Sequence, residues 1–216
     1  MGRTNFFYLL SALLFLLFAI PLAHDLELST APVVRAVVFS VLLLVGVWSL
    51  KGGGRFFTIG MILAIVGVIL NMLAMQLNST IFHYSSLVLL IAFLFVTISF
   101  TLRQVVFGTE INANRLVGAI CVFLLLGVIW ALAYSLLELV VPSSFAAVAP
   151  IRGPSWENGW LYFSFVTLTT LGYGDITPVS ATARSLAYLQ AVVGQFYVAV
   201  LVAGLVSAYI SDKQGS

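Results

Sequence analysis

Charged side chains are scarce in this chain of 216 residues: nine Lys or Arg and seven Asp or Glu, 7% of the total. A soluble domain carries roughly 25% charged residues. With 62% of this chain hydrophobic, no folding scheme supplies enough polar surface to cover a water-facing globule. Soluble enzymes and nucleic-acid-binding modules are thereby excluded, and a net charge of +2 is too slight to mark a polyanion partner. Only one cysteine is present, Cys121. No intrachain disulfide can form, so secreted disulfide scaffolds drop out, and in its apolar run Cys121 reads as a small core or lipid-facing residue. Stretches of ordinary composition long enough for a soluble domain on one anchor helix are also lacking. The solvent of this chain is mostly lipid.

What is abundant is long apolar sequence. Six runs lie at about residues 5–22, 32–50, 56–77, 80–102, 115–141 and 181–210, and about 20 helical residues cross a bilayer core of roughly 30 Å. The runs are too long and too uniformly apolar for barrel strands, which alternate and cross in about ten residues. An all-α membrane protein with six transmembrane helices is expected. The short connections at 51–55 and 78–80 force antiparallel neighbours, so the first four helices are read as a bundle over residues 1–104.

The few charges give the orientation. Arg3, Lys51, Arg55, Arg103, Arg115 and Lys213 fall on one side if all six runs span, against Arg35, Arg152 and Arg184 on the other with Asp25, Glu27, Glu157 and Asp175. The positive-inside rule then places both termini in the cytoplasm of a multi-pass plasma-membrane protein. The first run is also weighed as a signal peptide; its apolar core of about 17 residues exceeds the usual 7–15, which favours a retained helix.

One segment is neither a span nor an ordinary loop. After a polar, Pro-rich stretch at 141–155 comes a short apolar run from Trp160 to Thr170, with Ser155 or Asn158 placed to cap it. Eleven helical residues cover only about 17 Å, half a bilayer. Leu171-Gly172-Tyr173-Gly174-Asp175 follows, so the chain enters the membrane, turns, and leaves on the same side. Non-helical backbone at membrane depth requires surrounding protein or water. A water-filled path is implied.

Thr169-Thr170-Leu171-Gly172-Tyr173-Gly174-Asp175 resembles the selectivity filter of the tetrameric potassium channels, with leucine in place of valine. By chance a T-x-G-Y-G-D would appear in a chain of this length with odds of about one in ten thousand; the plain alternative is a tight turn in an extracellular loop. The resemblance covers about 115–211 and implies a pore domain over 105–216: outer helix 115–141, re-entrant pore helix 159–169, filter 170–174 and inner helix 181–210. Rings of backbone carbonyls replace the hydration oxygens of K+ in such filters. Thr170, Leu171, Gly172 and Tyr173 are the expected K+ ligands, with Gly172 and Gly174 at positive φ so that consecutive carbonyls face one axis. One strand covers about a quarter of an ion, so three further copies are expected as partners in a homotetramer. The negative end of the half-helix would favour a cation below it. No other cofactor, metal or nucleic acid is expected, only the lipid bilayer.

The resemblance also marks neighbours. Tyr162 and Phe163 stand where many family members have aromatic residues packed around the filter, and Val166 where some have a glutamate paired with the residue equivalent to Asp175. Glu138 resembles a brace of the outer mouth, or else is a solvated helix end. Asp175 either concentrates cations or caps the outgoing turn. Gly194 matches a flexible hinge glycine of the inner helix, the alternative being close packing; Gln195 is read as facing the cavity. Residues 80–102 carry no Lys or Arg, so the fourth span lacks the gating charges of a voltage sensor. The six residues after the last span are expected to hold no ligand-binding domain, which leaves ligand gating to an unidentified partner. The expected function is passive, non-enzymatic K+ conduction, with a potassium transporter subunit or a non-conducting modulatory subunit as alternatives. The transporters of this kind resemble four fused pore repeats, and this chain has one.

Overall fold

The computed structural model describes residues 6–25, 40, 43–50, 53–77, 80–107, 113–147, 159–204 and 207. Several sequence expectations therefore fall outside the described residues: the charges Arg3, Glu27, Arg35, Arg152, Glu157 and Lys213, the caps Ser155 and Asn158, most of the second run, and the end of the sixth. Lys51 in the 51–55 connection and residues 78–79 lie outside them too.

The described elements are helical throughout, apart from one small sheet. In chain order they are α1 (Phe6–Asp25), α2 (43–49), α3 (Arg55–Leu77), α4 (Thr80–Phe107), α5 (Ala113–Val140), β1 (Phe145–Ala147), α6 (Trp160–Leu168), β2 (Ile176–Pro178) and α7 (Ala181–Phe196). A π-helical segment, Tyr197–Val202, continues from α7. α3, α4 and α5 each contain a stretch long and apolar enough to cross a membrane, and α1 contributes a shorter apolar stretch, Phe6–Ala19. These elements match the first, third, fourth and fifth apolar runs. The chain divides into two compact units, Met1–Leu125 and Leu126–Ser216. The division falls inside α5.

In the first unit, α1 buries Phe6, Leu9, Leu13 and Leu16, a spacing of three and four that lines one helix face. Its first N–H groups have no partner within the helix, and Asn114 Oδ1 accepts from the Phe6 N–H at 2.8 Å. Glycines bring the neighbouring helices close: a Cβ on Gly46 would lie 2.7 Å from the Phe93 ring, and one on Gly60 2.3 Å from Leu50. The C-terminal end of α4 leaves carbonyls without intrahelical partners, and the Arg115 guanidinium donates to the Val105 and Val106 carbonyls at 2.5 and 3.1 Å. A cation there also suits the negative end of the helix dipole. Arg103, the one Lys or Arg in α4, lies over the Phe56 ring at 5.5 Å.

The second unit is built around α6, which nine residues make about 14 Å long, too short to span. It buries Trp160, Leu161, Phe163, Ser164, Val166 and Leu168. Gly159 is its N-cap at φ 105, with no side-chain cap, in place of the Ser155 or Asn158 expected from sequence. Only glycine takes that left-handed entry without strain. β1 and β2 pair antiparallel, Phe145 opposite Pro178 and Ala147 opposite Ile176, tying the chain after α5 to the chain before α7.

Candidate functional site

The loop after α6 owes its shape to the way the helix ends. Thr169 is the C-cap and Thr170 follows at φ 59. The Thr170 N–H donates to the Thr167 carbonyl at 3.0 Å, and the Leu171 N–H to the Val166 carbonyl at 2.9 Å. These two bonds with a left-handed residue between them form a Schellman motif, which satisfies carbonyls that the helix end leaves open. Glycine usually occupies the left-handed position. A threonine there accepts strain of about 1–2 kcal/mol and keeps a hydroxyl at the start of the loop.

Gly172 and Gly174 follow at φ 58 and 80, while Leu171 and Tyr173 do not have positive φ. Thr170, Gly172 and Gly174 thus alternate with residues of ordinary handedness. In a β-strand successive carbonyls point to opposite sides; reversing the hand at every second residue turns them to one side. A Cβ on Gly172 or Gly174 would meet nothing within 4 Å, so conformation, and not space, calls for glycine at both positions.

The flanking side chains divide into two groups. Tyr162 stacks on Tyr173 with ring centroids 6.4 Å apart and planes 8° from parallel, and its phenol hydrogen-bonds the Asp175 carboxylate. Phe163 turns the other way, into a cluster with Tyr134 at 4.9 Å and Phe145 at 5.5 Å, where Trp160 also meets Phe145 at 4.8 Å. The two aromatics read together from sequence therefore have different jobs. Val166 is buried, and its contribution to the loop is its backbone carbonyl.

The segment after the loop is held by a chain of hydrogen bonds. The two carboxylate oxygens of Glu138 accept the N–H groups of Ser143 at 2.8 Å and Ser144 at 3.0 Å, across a turn in which Ser143 has φ 63. The Ser144 carbonyl then accepts from the N–H groups of Val179 and Ser180 at 2.8 and 3.2 Å. Ser180 in turn caps α7, its hydroxyl accepting from the Ala183 N–H at 3.1 Å. The end of α5 and the start of α7 are fastened through Glu138.

On α7, Gly194 is buried and a Cβ on it would lie 2.2 Å from the Leu168 carbonyl oxygen. This is a close approach of α7 to the end of α6, the packing alternative weighed for that glycine. Gln195 is exposed, and its Nε2 donates to Thr170 Oγ1 at 3.3 Å, which brings it to the start of the loop.

Three residues passed over in the sequence also converge here. Gln190 on α7 links Tyr134 on α5 to Ser164 on α6, and all three are fully or almost fully buried. An amide and a hydroxyl in apolar helices were the available signal.

The loop and both helices beside it fall within a stretch that resembles known proteins. Residues 120–211 match the ion channel family model. Two pore potassium channel c from Oryza sativa subsp. japonica is 38% identical over 74 residues, 34% of this chain and 16% of that protein. Two-pore potassium channel 3 from Arabidopsis thaliana is 43% identical over 56 residues, 26% of this chain and 13% of its own length. Two-pore potassium channel 2 from the same plant is 41% identical over 54 residues, 25% of this chain and 12% of its own. The chain spans less than a fifth of the length of these curated relatives. No solved structure matches it. With three helices able to cross a membrane among the described residues, the chain is a multi-pass membrane protein, and its residues 120–211 are similar to the ion channel family.

Proposed function

We propose that this chain is a potassium-selective channel subunit that conducts K+ passively and catalyses no reaction. The observation that carries the reading is the alternation of positive φ at Thr170, Gly172 and Gly174 within T-L-G-Y-G-D, immediately after a half-length helix. Carbonyls turned to one side can replace the hydration oxygens of a K+ ion. The carbonyls of Thr170, Leu171, Gly172 and Tyr173, with the Thr170 hydroxyl at the inner end, are the ligands, and K+ is the permeant ion and not a resident cofactor.

The pore is a homotetramer, because one strand supplies a quarter of the oxygens an ion needs. Support comes from the exposure of Leu171 (57%) and Tyr173 (67%) in the single chain, apolar surface at a site that must exclude water from everything but the ion path. The unit comprises a bundle over 1–104 and a pore domain over 105–216, six helices in a plasma membrane with both termini cytoplasmic. Asp175 lies at the outer mouth, and the bending that opens the inner exit falls between Gly194 and Val202, where α7 passes into the π-helical segment. Gating is not steeply voltage-dependent, since moving one charge through 100 mV supplies only about 2.3 kcal/mol and residues 80–102 carry none.

The test is rubidium uptake into liposomes holding the purified chain. Barium-sensitive uptake is expected; none at any voltage or pH would refute the proposal.

A further inference from the structure

Gln190, Tyr134 and Ser164 form a fully buried cluster in which the partners fix the direction of every hydrogen bond. Gln190 Nε2 lies 3.0 Å from the Ser164 carbonyl and 2.7 Å from Ser164 Oγ, and its Oε1 lies 2.5 Å from the Tyr134 hydroxyl. Ser164 Oγ lies 2.7 Å from the Gly127 carbonyl. A carbonyl oxygen only accepts, so the Ser164 carbonyl obliges the amide nitrogen to face it. Oε1 then faces Tyr134, whose hydroxyl donates. Ser164 Oγ accepts from the amide and donates to Gly127. Every direction in the chain Tyr134, Gln190, Ser164, Gly127 follows from these atoms.

The cluster also has a register. Gln190 meets Ser164 and Gly194 meets Leu168, so the polar contact and the close backbone approach lie four residues apart on both helices. That is one turn on each, and the pair holds α7 against α6 both laterally and along the axis. The α6 end being held is the one whose Schellman motif begins the filter. Gly127 completes the seat from α5, since a Cβ there would lie 2.4 Å from the Phe165 ring.

We infer that Gln190 is a positioning residue for the ion path: oriented by Tyr134, it fixes the register of α6 on α7 and so keeps the filter carbonyls in their conducting, K+-selective arrangement. This rests on the channel reading above. Buried in apolar surroundings, the amide and hydroxyls have no water to fall back on when a partner is lost. Moving α7 past α6 must break the Gln190 bonds, which couples movement of the inner helix to the filter.

The experiment compares the full-length chain with Tyr134→Phe, Gln190→Leu and the double variant in liposomes, reading sodium permeability relative to potassium from the reversal potential. Thermal dissociation of the oligomer is followed in parallel. Tyr134→Phe removes one oxygen from an otherwise unchanged shape and leaves Gln190 Oε1 without a partner. The expected result is a loss of selectivity of about tenfold, the equilibrium weight of one buried hydrogen bond left unmade. Gln190→Leu should lose at least as much, and the double variant no more than Gln190→Leu alone, because Tyr134 acts through Gln190. Ser164→Thr, which keeps the hydroxyl, should stay near wild type.

Variants that conduct with wild-type selectivity would overturn the inference while leaving the channel reading intact. So would variants that lose only thermal stability. A wild-type protein without barium-sensitive flux would overturn both. If Gln190→Leu does not assemble, Tyr134→Phe decides.

Discussion

Replacing Gly194 by alanine tests how α7 meets α6. The added Cβ would sit 2.2 Å from the Leu168 carbonyl oxygen, where ordinary contact begins near 3.4 Å. The two backbones must therefore part by about 1.2 Å, the difference between those distances. A flexible side chain could rotate away, but the obstacle is backbone. Overpacking of this kind costs typically 1–3 kcal/mol. Leu168 is followed at once by the cap and the loop from Thr170 to Asp175, so the displacement reaches that loop directly. Gly194→Ala is expected to lower the thermal dissociation temperature of the purified oligomer and to reduce barium-sensitive rubidium flux. Gly194→Ser should do both to a greater extent. A glycine needed only for bending would behave differently, keeping full thermal stability and altering only the fraction of time open. An alanine variant with wild-type thermal stability would refute the packing argument.

Other expectations follow from the same geometry. Glu138→Ala removes the acceptor of two backbone N–H groups; the exposed Ser143 N–H can turn to water while the part-buried Ser144 N–H cannot, so the fold should lose about one charged hydrogen bond, about 1.5–3 kcal/mol, measured as a fall in dissociation temperature. Glu138→Gln should cost less, because one oxygen still accepts. L-alanine at Gly174 meets no steric obstacle but must hold φ 80, at about 1–2 kcal/mol; flux should be lost with L-alanine and retained with D-alanine introduced by semisynthesis. Finally, the conductance–voltage relation of the wild-type channel should be shallow; a relation as steep as that of a charged fourth helix would contradict the assignment of α4.

Much of this molecule was legible from sequence, and the reasons are particular. The apolar runs from 56 to 141 are long, uninterrupted and ended by charge or polar residues, and each became a helix of spanning length. The short helix after Gly159 was legible because eleven apolar residues cannot cross a bilayer. Gly172 and Gly174 were legible as positive-φ positions because no other residue adopts them freely. Thr170 was not, since its handedness comes from the cap that ends α6, and a cap depends on which carbonyls remain unpaired. Tyr162 and Phe163 looked equivalent because they adjoin in sequence, but neighbours on a helix lie about 100° apart, and only Tyr162 can reach Tyr173. The Gln190 cluster was missed because its members are 26 and 56 residues apart, and only the packing of three helices brings them together.

The central claim is that the loop from Thr170 to Gly174 passes potassium and rejects sodium. The most direct measurement is the reversal potential of the purified chain in planar bilayers, with potassium on one side and sodium on the other. A reversal potential displaced strongly in the direction of potassium selectivity, and collapsing when Tyr173 and Gly174 are replaced together, is the result expected here. A barium-insensitive current reversing near zero, or selectivity unchanged by that replacement, would contradict it.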